Sequence, residues 1–182
     1  GPTPAGWGMA KPAELIAAAT TVISAAVAAS PDPTAEETVL AAGIFGHALP
    51  SNAEMAVAGA AADSLPHGGN GLIEAVENVT AMAAVQAMDA ERDGLTVRML
   101  VAVTATDIHL LDWQTGSGTT RILRSLGRVS TDVTIKKLGL SRRVELLDHA
   151  TGTDVHIVGT TAAFSPEAAG DKAVLALLDV PT

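Results

Sequence analysis

Residues 95–112 read LTVRMLVAVTATDIHLLD. Val, Leu, Ile and Thr crowd this stretch, and Thr104-Ala105-Thr106-Asp107 interrupts it with the side chains of a connection, so it predicts two consecutive strands. In the second, Ile108, Leu110 and Asp112 alternate with His109, Leu111 and Trp113. One face therefore begins apolar, while the other mixes His109 with apolar groups, and His109 reads as a solvated side chain beside a packed leucine.

Working outward toward the C-terminus, the phrase that ends this stretch recurs: LLDWQTG over 110–116 and LLDHATG over 146–152. In both copies a strand runs into Leu-Leu-Asp and Thr-Gly follows two residues later. An Asp or Thr side chain bonds nearby backbone donors and Gly accepts a positive φ, so Asp112/Thr115/Gly116 and Asp148/Thr151/Gly152 mark turns. A further strand is expected after each, in TTRILRSLG and in DVHIVGT. Two more strands are expected in RVSTDVTIKKLGLSRRVELLD, with a break at Leu138-Gly139-Leu140. The end, SPEAAGDKAVLALLDV, predicts a closing helix that starts near Ser165-Pro166 and carries Leu175 and Leu178 on one side.

Toward the N-terminus the pattern is helical. Lys11-Pro12 supplies a first turn, and Ile16, Ala19, Ile23 and Ala26 form a stripe at spacings of three and four. Ile16, Ile23 and Val27 are the candidate helix interface, either within the chain or between subunits. Thr34 with Glu37 forms a capping box that predicts a second helix, weakened at its far end by Gly43 and Gly46. Ser51 with Glu54 repeats the signal, PHGGNG over 66–71 reads as a loop, and LIEAVENVTAMAAVQAMDAERDG predicts a long helix ending at Gly94. Residues 1–9 are expected to be a tail, with Gly1-Pro2 a protease remnant and Met9 a candidate start.

The resulting fold class is α+β. An Ala-rich helical region over 10–93 precedes a mostly antiparallel sandwich or partly open β-barrel over 94–182, closed by a C-terminal helix. The segments VAVTATDIHLLD and VELLDHATGTDVHIV, with the terminal helix, resemble the bacterial pleckstrin-homology-like domains over roughly residues 95–180. The resemblance implies a noncatalytic scaffold of two nearly orthogonal antiparallel sheets plus a C-terminal helix, used for assembly or ligand recognition. Phosphoinositide binding is not carried over, because no lipid-binding signature lies between the first strands.

Charge is divided unevenly. Residues 1–91 hold ten acids and one Lys, whereas residues 92–182 hold ten acids and ten bases, which together give the net −9. Seven of the eleven basic residues, Arg121, Arg124, Arg128, Lys136, Lys137, Arg142 and Arg143, fall in one segment offset only by Asp132. They form a candidate surface for an acidic protein, a phosphate ligand or an anionic lipid headgroup. Strand alternation would send the neighbours Lys136/Lys137 and Arg142/Arg143 to opposite faces.

With no Cys, thiolate chemistry and sulfur-ligated zinc are excluded. No GxGxxG, Walker, HExxH or GxSxG motif is present, and the five His are scattered. Asp154 and His156 would share a strand face without making a metal site. We therefore expect no enzyme, cofactor or metal. An enzymatic alternative would require a pocket where His109, His149 or His156 converges with carboxylates. The net negative charge and the lack of exposed aromatics beside the basic segment argue against nucleic acid. The expected protein is an interaction or assembly module, homo-oligomeric or docked on an acidic partner. It is expected in the cytoplasm or peripheral to a membrane, without a membrane span.

Overall fold

The computed structural model describes residues 11–32, 37–48, 84 and 86–179. The helix starting at Ser51 and the loop 66–71 lie outside the described residues, as do all but the last turns of the helix starting at Leu72 and the stretch from Thr34 to Glu36.

The first helix, α1 (Pro12–Ala28), starts on Pro12, where a missing N–H removes no helical bond. Leu15, Ala19 and Ile23, spaced by four, are buried, and they pack with Val39, Ala42, Ile44, Leu100, Ala102 and Leu111. Thr20 and Thr21 tolerate the helix by donating their hydroxyls to the Ile16 and Ala17 carbonyls at 2.7 and 3.1 Å.

Seven strands follow: β1 (Ala41–His47), β2 (Arg98–Val103), β3 (Asp107–Asp112), β4 (Ile122–Gly127), β5 (Thr131–Leu138), β6 (Ser141–Asp148) and β7 (Thr153–Thr160). The closing helix, α2, spans Ala168–Leu178. A helical segment over 86–92 ends at Gly94, whose φ of +73° only glycine adopts readily, while Leu95 donates to the Ala90 carbonyl at 2.7 Å.

The strands form one antiparallel sheet in the order β4-β3-β2-β1-β7-β6-β5. On its inner face Phe45, Met99, Val101, Val103, Ile108, Leu110, Leu126, Val144, Leu146, Val155 and Ile157 join Val174, Leu175 and Leu178 of α2. The outer face of β1, β2 and β3 carries α1.

Two expectations are corrected here. The sheet is open and is not a β-barrel, because the outermost strands, β4 and β5, do not pair with each other. Barrel closure requires that pairing; here the apolar inner face is covered by α2 instead. The second correction is β1 itself, which stands where the capping box at Thr34 predicts the far end of a helix. Ala41–Gly46 pairs with Val103–Arg98, and burial on both faces, with Phe45 inward and Ile44 outward, outweighs the helix propensity of its alanines. The sheet thus takes its middle strand from the part of the chain read as helical.

β1 and β7 touch through only two residue pairs, Gly46↔Val158 and His47↔Ile157. Beyond them the strands part, leaving β1–β4 on one side and β5–β7 on the other. The first turn of α2 lies against β1 there: a Cβ on Gly43 would stand 2.9 Å from the Gly170 carbonyl carbon, and one on Gly170 would stand 2.7 Å from the Ala42 carbonyl oxygen. Both glycines are required by backbone approach rather than by φ.

Candidate functional site

The repeated phrase builds two turns by different means. Asp148 accepts the Ser130 hydroxyl at 2.8 Å, the Ala150 amide at 2.9 Å and the Thr151 hydroxyl at 3.1 Å, and these donors, Ser130 first, hold its carboxyl below the usual range. Asp112 instead reaches across its loop to the Thr120 hydroxyl and amide and the Arg121 amide, at 2.6, 2.7 and 2.8 Å. Burial works to raise the Asp112 carboxyl, but bonds from Thr120, Arg121 and Thr119 outweigh it and hold the carboxyl low. Gly116 and Gly152 both have positive φ, at +93° and +73°. The recurrence is turn construction in both copies.

The seven basic residues do not converge into one patch. Arg128 donates Nη1 to the Thr104 carbonyl and Nη2 to the Leu177 carbonyl, both at 3.1 Å, joining the β2–β3 turn to the C-terminal end of α2. Arg124 donates to the Asp93 carbonyl at 2.9 Å. Arg143 is only 2% exposed on the outer face of β6, where Nη2 meets His156 Nδ1 at 2.8 Å and Nε lies 3.5 Å from Glu145. Glu145 also accepts Lys136 at 2.9 Å, and that bond is the chief reason its carboxyl sits below the usual range. Arg121 is exposed in the loop before β4. Lys136 and Arg143 both pair with Glu145, in the same half of the chain.

What the segment does build is the tip of the β5–β6 hairpin, KKLGLSRR over 136–143. Gly139 turns it with φ +61°. Leu138 and Leu140 flank that glycine and stand 52% and 58% exposed. Lys136 and Lys137 precede them and Arg142 follows, its Nη1 donating to the Gly139 and Ser141 carbonyls at 2.9 Å each. Thr161 donates both its amide and its hydroxyl to the Leu140 carbonyl, at 2.8 and 2.9 Å, tying the tip to the loop that carries exposed Phe164. The cations are legible in the sequence, and Leu138-Gly139-Leu140 reads there as a bend, although Leu-Gly-Leu between basic pairs is the signal that reveals an apolar apex.

The candidate helix interface has a different fate. Ile23 is 1% exposed and packs against the outer face of the sheet within its own chain, with Ile16 and Val27 partly buried beside it.

The histidines meet carboxylates pairwise. His149 reaches the Asp132 carboxylate at 2.6 Å on the surface, and His156 Nε2 meets Asp154 at 3.0 Å, as their shared strand face predicts. His47 Nε2 contacts Asp89 Oδ2 at 2.8 Å, while Arg92 holds the other Asp89 oxygen. His109 corrects its reading as a solvated side chain: it is 5% exposed, bonded at Nδ1 to Ser125 Oγ (2.8 Å) and at Nε2 to Glu37 Oε2 (3.0 Å). Glu37 lies 72 residues away, so no local spacing could reveal it. A pocket of about 380 Å³ opens beside the β1–β7 junction, lined by His47, Gln86, Arg98, Ser141, Glu167 and Asp171 among others. None of His109, His149 or His156 lines it.

Comparisons with protein families, with curated proteins and with solved structures give no match to this chain.

Among the described residues, no helix is long and apolar enough to cross a membrane.

Proposed function

We propose that the chain is a noncatalytic, pleckstrin-homology-like interaction domain that docks on an anionic membrane surface through the tip of its β5–β6 hairpin. The resemblance in fold is supported by the strand order, by the parting of β1 from β7 into groups of four and three strands, and by the closing helix. The docking reading is carried by one observation: Leu138 and Leu140 stand exposed at the apex of a hairpin whose shoulders are Lys136, Lys137 and Arg142.

A convex apex suits a deformable surface better than a rigid groove, and apolar groups ahead of cations match the order of acyl chains behind phosphates. Lys136 is already paired with Glu145, so Lys137 and Arg142 carry the attraction to an anionic leaflet, about 2 kcal/mol. Burying the exposed halves of two leucines adds about 2 kcal/mol. The sum resembles the grip of a single acyl chain, so docking is reversible and salt-sensitive. The basic surface thus narrows from the seven residues of the segment to the three at the tip.

Co-sedimentation of the full chain with phosphatidylserine–phosphatidylcholine vesicles tests this. Binding is expected at low salt, with loss in high salt, in phosphatidylcholine alone and in the Leu140→Asp and Lys137→Glu variants. Absence of binding to the anionic vesicles, or equal binding by both variants, overturns it. Binding of an acidic protein surface by a chain that ignores vesicles would assign the tip to a protein partner instead.

A further inference from the structure

Glu37 Oε2 lies 3.0 Å from His109 Nε2, and one oxygen each of Glu37 and Asp107 with one His109 nitrogen all fall within 4.8 Å of one another. We propose that these three side chains bind a divalent first-row transition ion such as Zn²⁺, with water completing the coordination.

The placement follows from the sheet. Asp107 and His109 are two residues apart on β3, so both project to the same face. Ser125 of β4 sits opposite His109 in register and its Oγ meets Nδ1 at 2.8 Å. In the tautomer with the proton on Nδ1, Ser125 accepts that proton's bond and the Nε2 lone pair turns toward the carboxylates. This is the outer partner that metal-bound imidazoles use to fix ring orientation. Glu37 arrives from the segment leading into β1 and closes the third side.

The chemistry of the set matches the ion. One imidazole nitrogen and two carboxylate oxygens suit Zn²⁺, Mn²⁺ or Co²⁺ better than a soft thiophilic ion. Ligand atoms about 2.0–2.2 Å from a tetrahedral ion stand roughly 3.3–3.6 Å apart, and the Glu37–His109 separation is already close to that. Two carboxylates facing each other also need a counter-charge. Neither Glu37 nor Asp107 has a Lys or Arg partner among the described residues; their neighbours are His109, Ser125 beyond it, and the Thr106 hydroxyl, which donates to Asp107 at 2.7 Å.

Among the described residues, a second three-ligand group, His47 with Asp89 and Asp93, is less suited, because Arg92 contacts both of its aspartates. A cation there would have to displace a guanidinium.

Isothermal titration calorimetry of the full chain with Zn²⁺ at neutral pH, repeated on Glu37→Gln, Asp107→Asn and the exposed control His149→Ala, tests the site. The expected result is one saturable site, weakened at least about tenfold in the first two variants and unchanged in the control. A visible spectrum of the Co²⁺-loaded wild-type chain provides a second reading, with intense tetrahedral-type d–d bands expected. If either variant fails to fold, the other variant and the Co²⁺ spectrum decide. No saturable binding below about 1 mM, a typical bound for weak sites, overturns the assignment. So does equal affinity in the folded variants, or loss of binding in His149→Ala alone.

Discussion

Asp171 Oδ2 accepts the backbone N–H of Thr160 at 2.9 Å, placing a carboxyl of α2 where β1 and β7 part. Continuing the register of Gly46↔Val158 would pair Ile44 with Thr160. Asp171 takes the Thr160 amide and lies near enough to that of Ile44 for it to favour the charged carboxyl, so the carboxyl occupies the place of the missing rung of the ladder. The Phe45 ring fills the adjoining space, where a Cβ on Gly159 would come within 2.4 Å of it.

That insertion gives the fold a pH dependence. Asp171 is fully buried, and burial is the largest cause that pushes its carboxyl from the ordinary 3.8 up to about 7; the Thr160 and Ile44 amides oppose the shift and Glu167 adds to it. Between these values the folded chain holds a proton that the unfolded chain has released. The contribution of Asp171 to stability is therefore full below about pH 4, falls as pH rises, and is lost above about pH 7. Glu37, also raised, acts in the same direction, whereas the depressed Asp112, Glu145 and Asp148 contribute stability that is lost only as pH falls through their lower values. Thermal melts from pH 5 to 8 should show a falling Tm in the wild type and a much flatter profile in Asp171→Asn. An unchanged slope in the variant would remove Asp171 as the cause.

The crossing of α2 over β1 is a backbone contact, so a single methyl should disturb it. Gly170→Ala places a carbon 2.7 Å from the Ala42 carbonyl oxygen and 3.1 Å from Leu15. A cost of about 1–3 kcal/mol is expected in urea denaturation. Gly46→Ala is the control: its new carbon meets nothing closer than 3.9 Å, and its stability should change little.

Ile23 distinguishes the two uses of the α1 stripe. Its burial under the sheet makes Ile23→Ala a core truncation, with an expected cost of about 2–4 kcal/mol. Light scattering coupled to size exclusion should give the same mass for the variant and the wild type. A variant that keeps its stability but loses a subunit contact would return the stripe to an assembly role.

Legibility in the sequence followed the range of the forces involved. The β2–β3 pair was readable because Thr104-Ala105-Thr106-Asp107 makes its own turn: the Thr104 hydroxyl accepts the Asp107 amide at 3.0 Å, with no help from distant residues. Gly139 and Gly152 likewise carried their turns locally. β1 was not readable, since Ala41, Ala42, Gly43 and Gly46 look like a fraying helix until β2 and β7 supply partners on both sides. Closure of a barrel is equally nonlocal, being decided by whether β4 meets β5. At the candidate sites, the side chains were visible as residues but their partners were not: Arg128 is held by Leu177, and His109 by Glu37.

Arg128 and Lys137 lie nine residues apart in the same basic segment, yet the fold gives them opposite roles. Arg128 is bonded to two main-chain carbonyls, one of them in the last turn of α2, where a cation also favours the helix dipole. Lys137 is exposed beside the hairpin apex. Arg128→Ala should therefore cost about 1–3 kcal/mol of stability, from two lost charge-assisted bonds, while leaving vesicle binding at temperatures below its transition unchanged. Lys137→Glu should leave the melting curve nearly unchanged and reduce binding to phosphatidylserine vesicles. Urea melts and co-sedimentation on the same two variants read both quantities. If both substitutions weakened vesicle binding without touching stability, the contact surface would extend from the tip along the sheet to Arg128, and the division between structural and docking cations would fail.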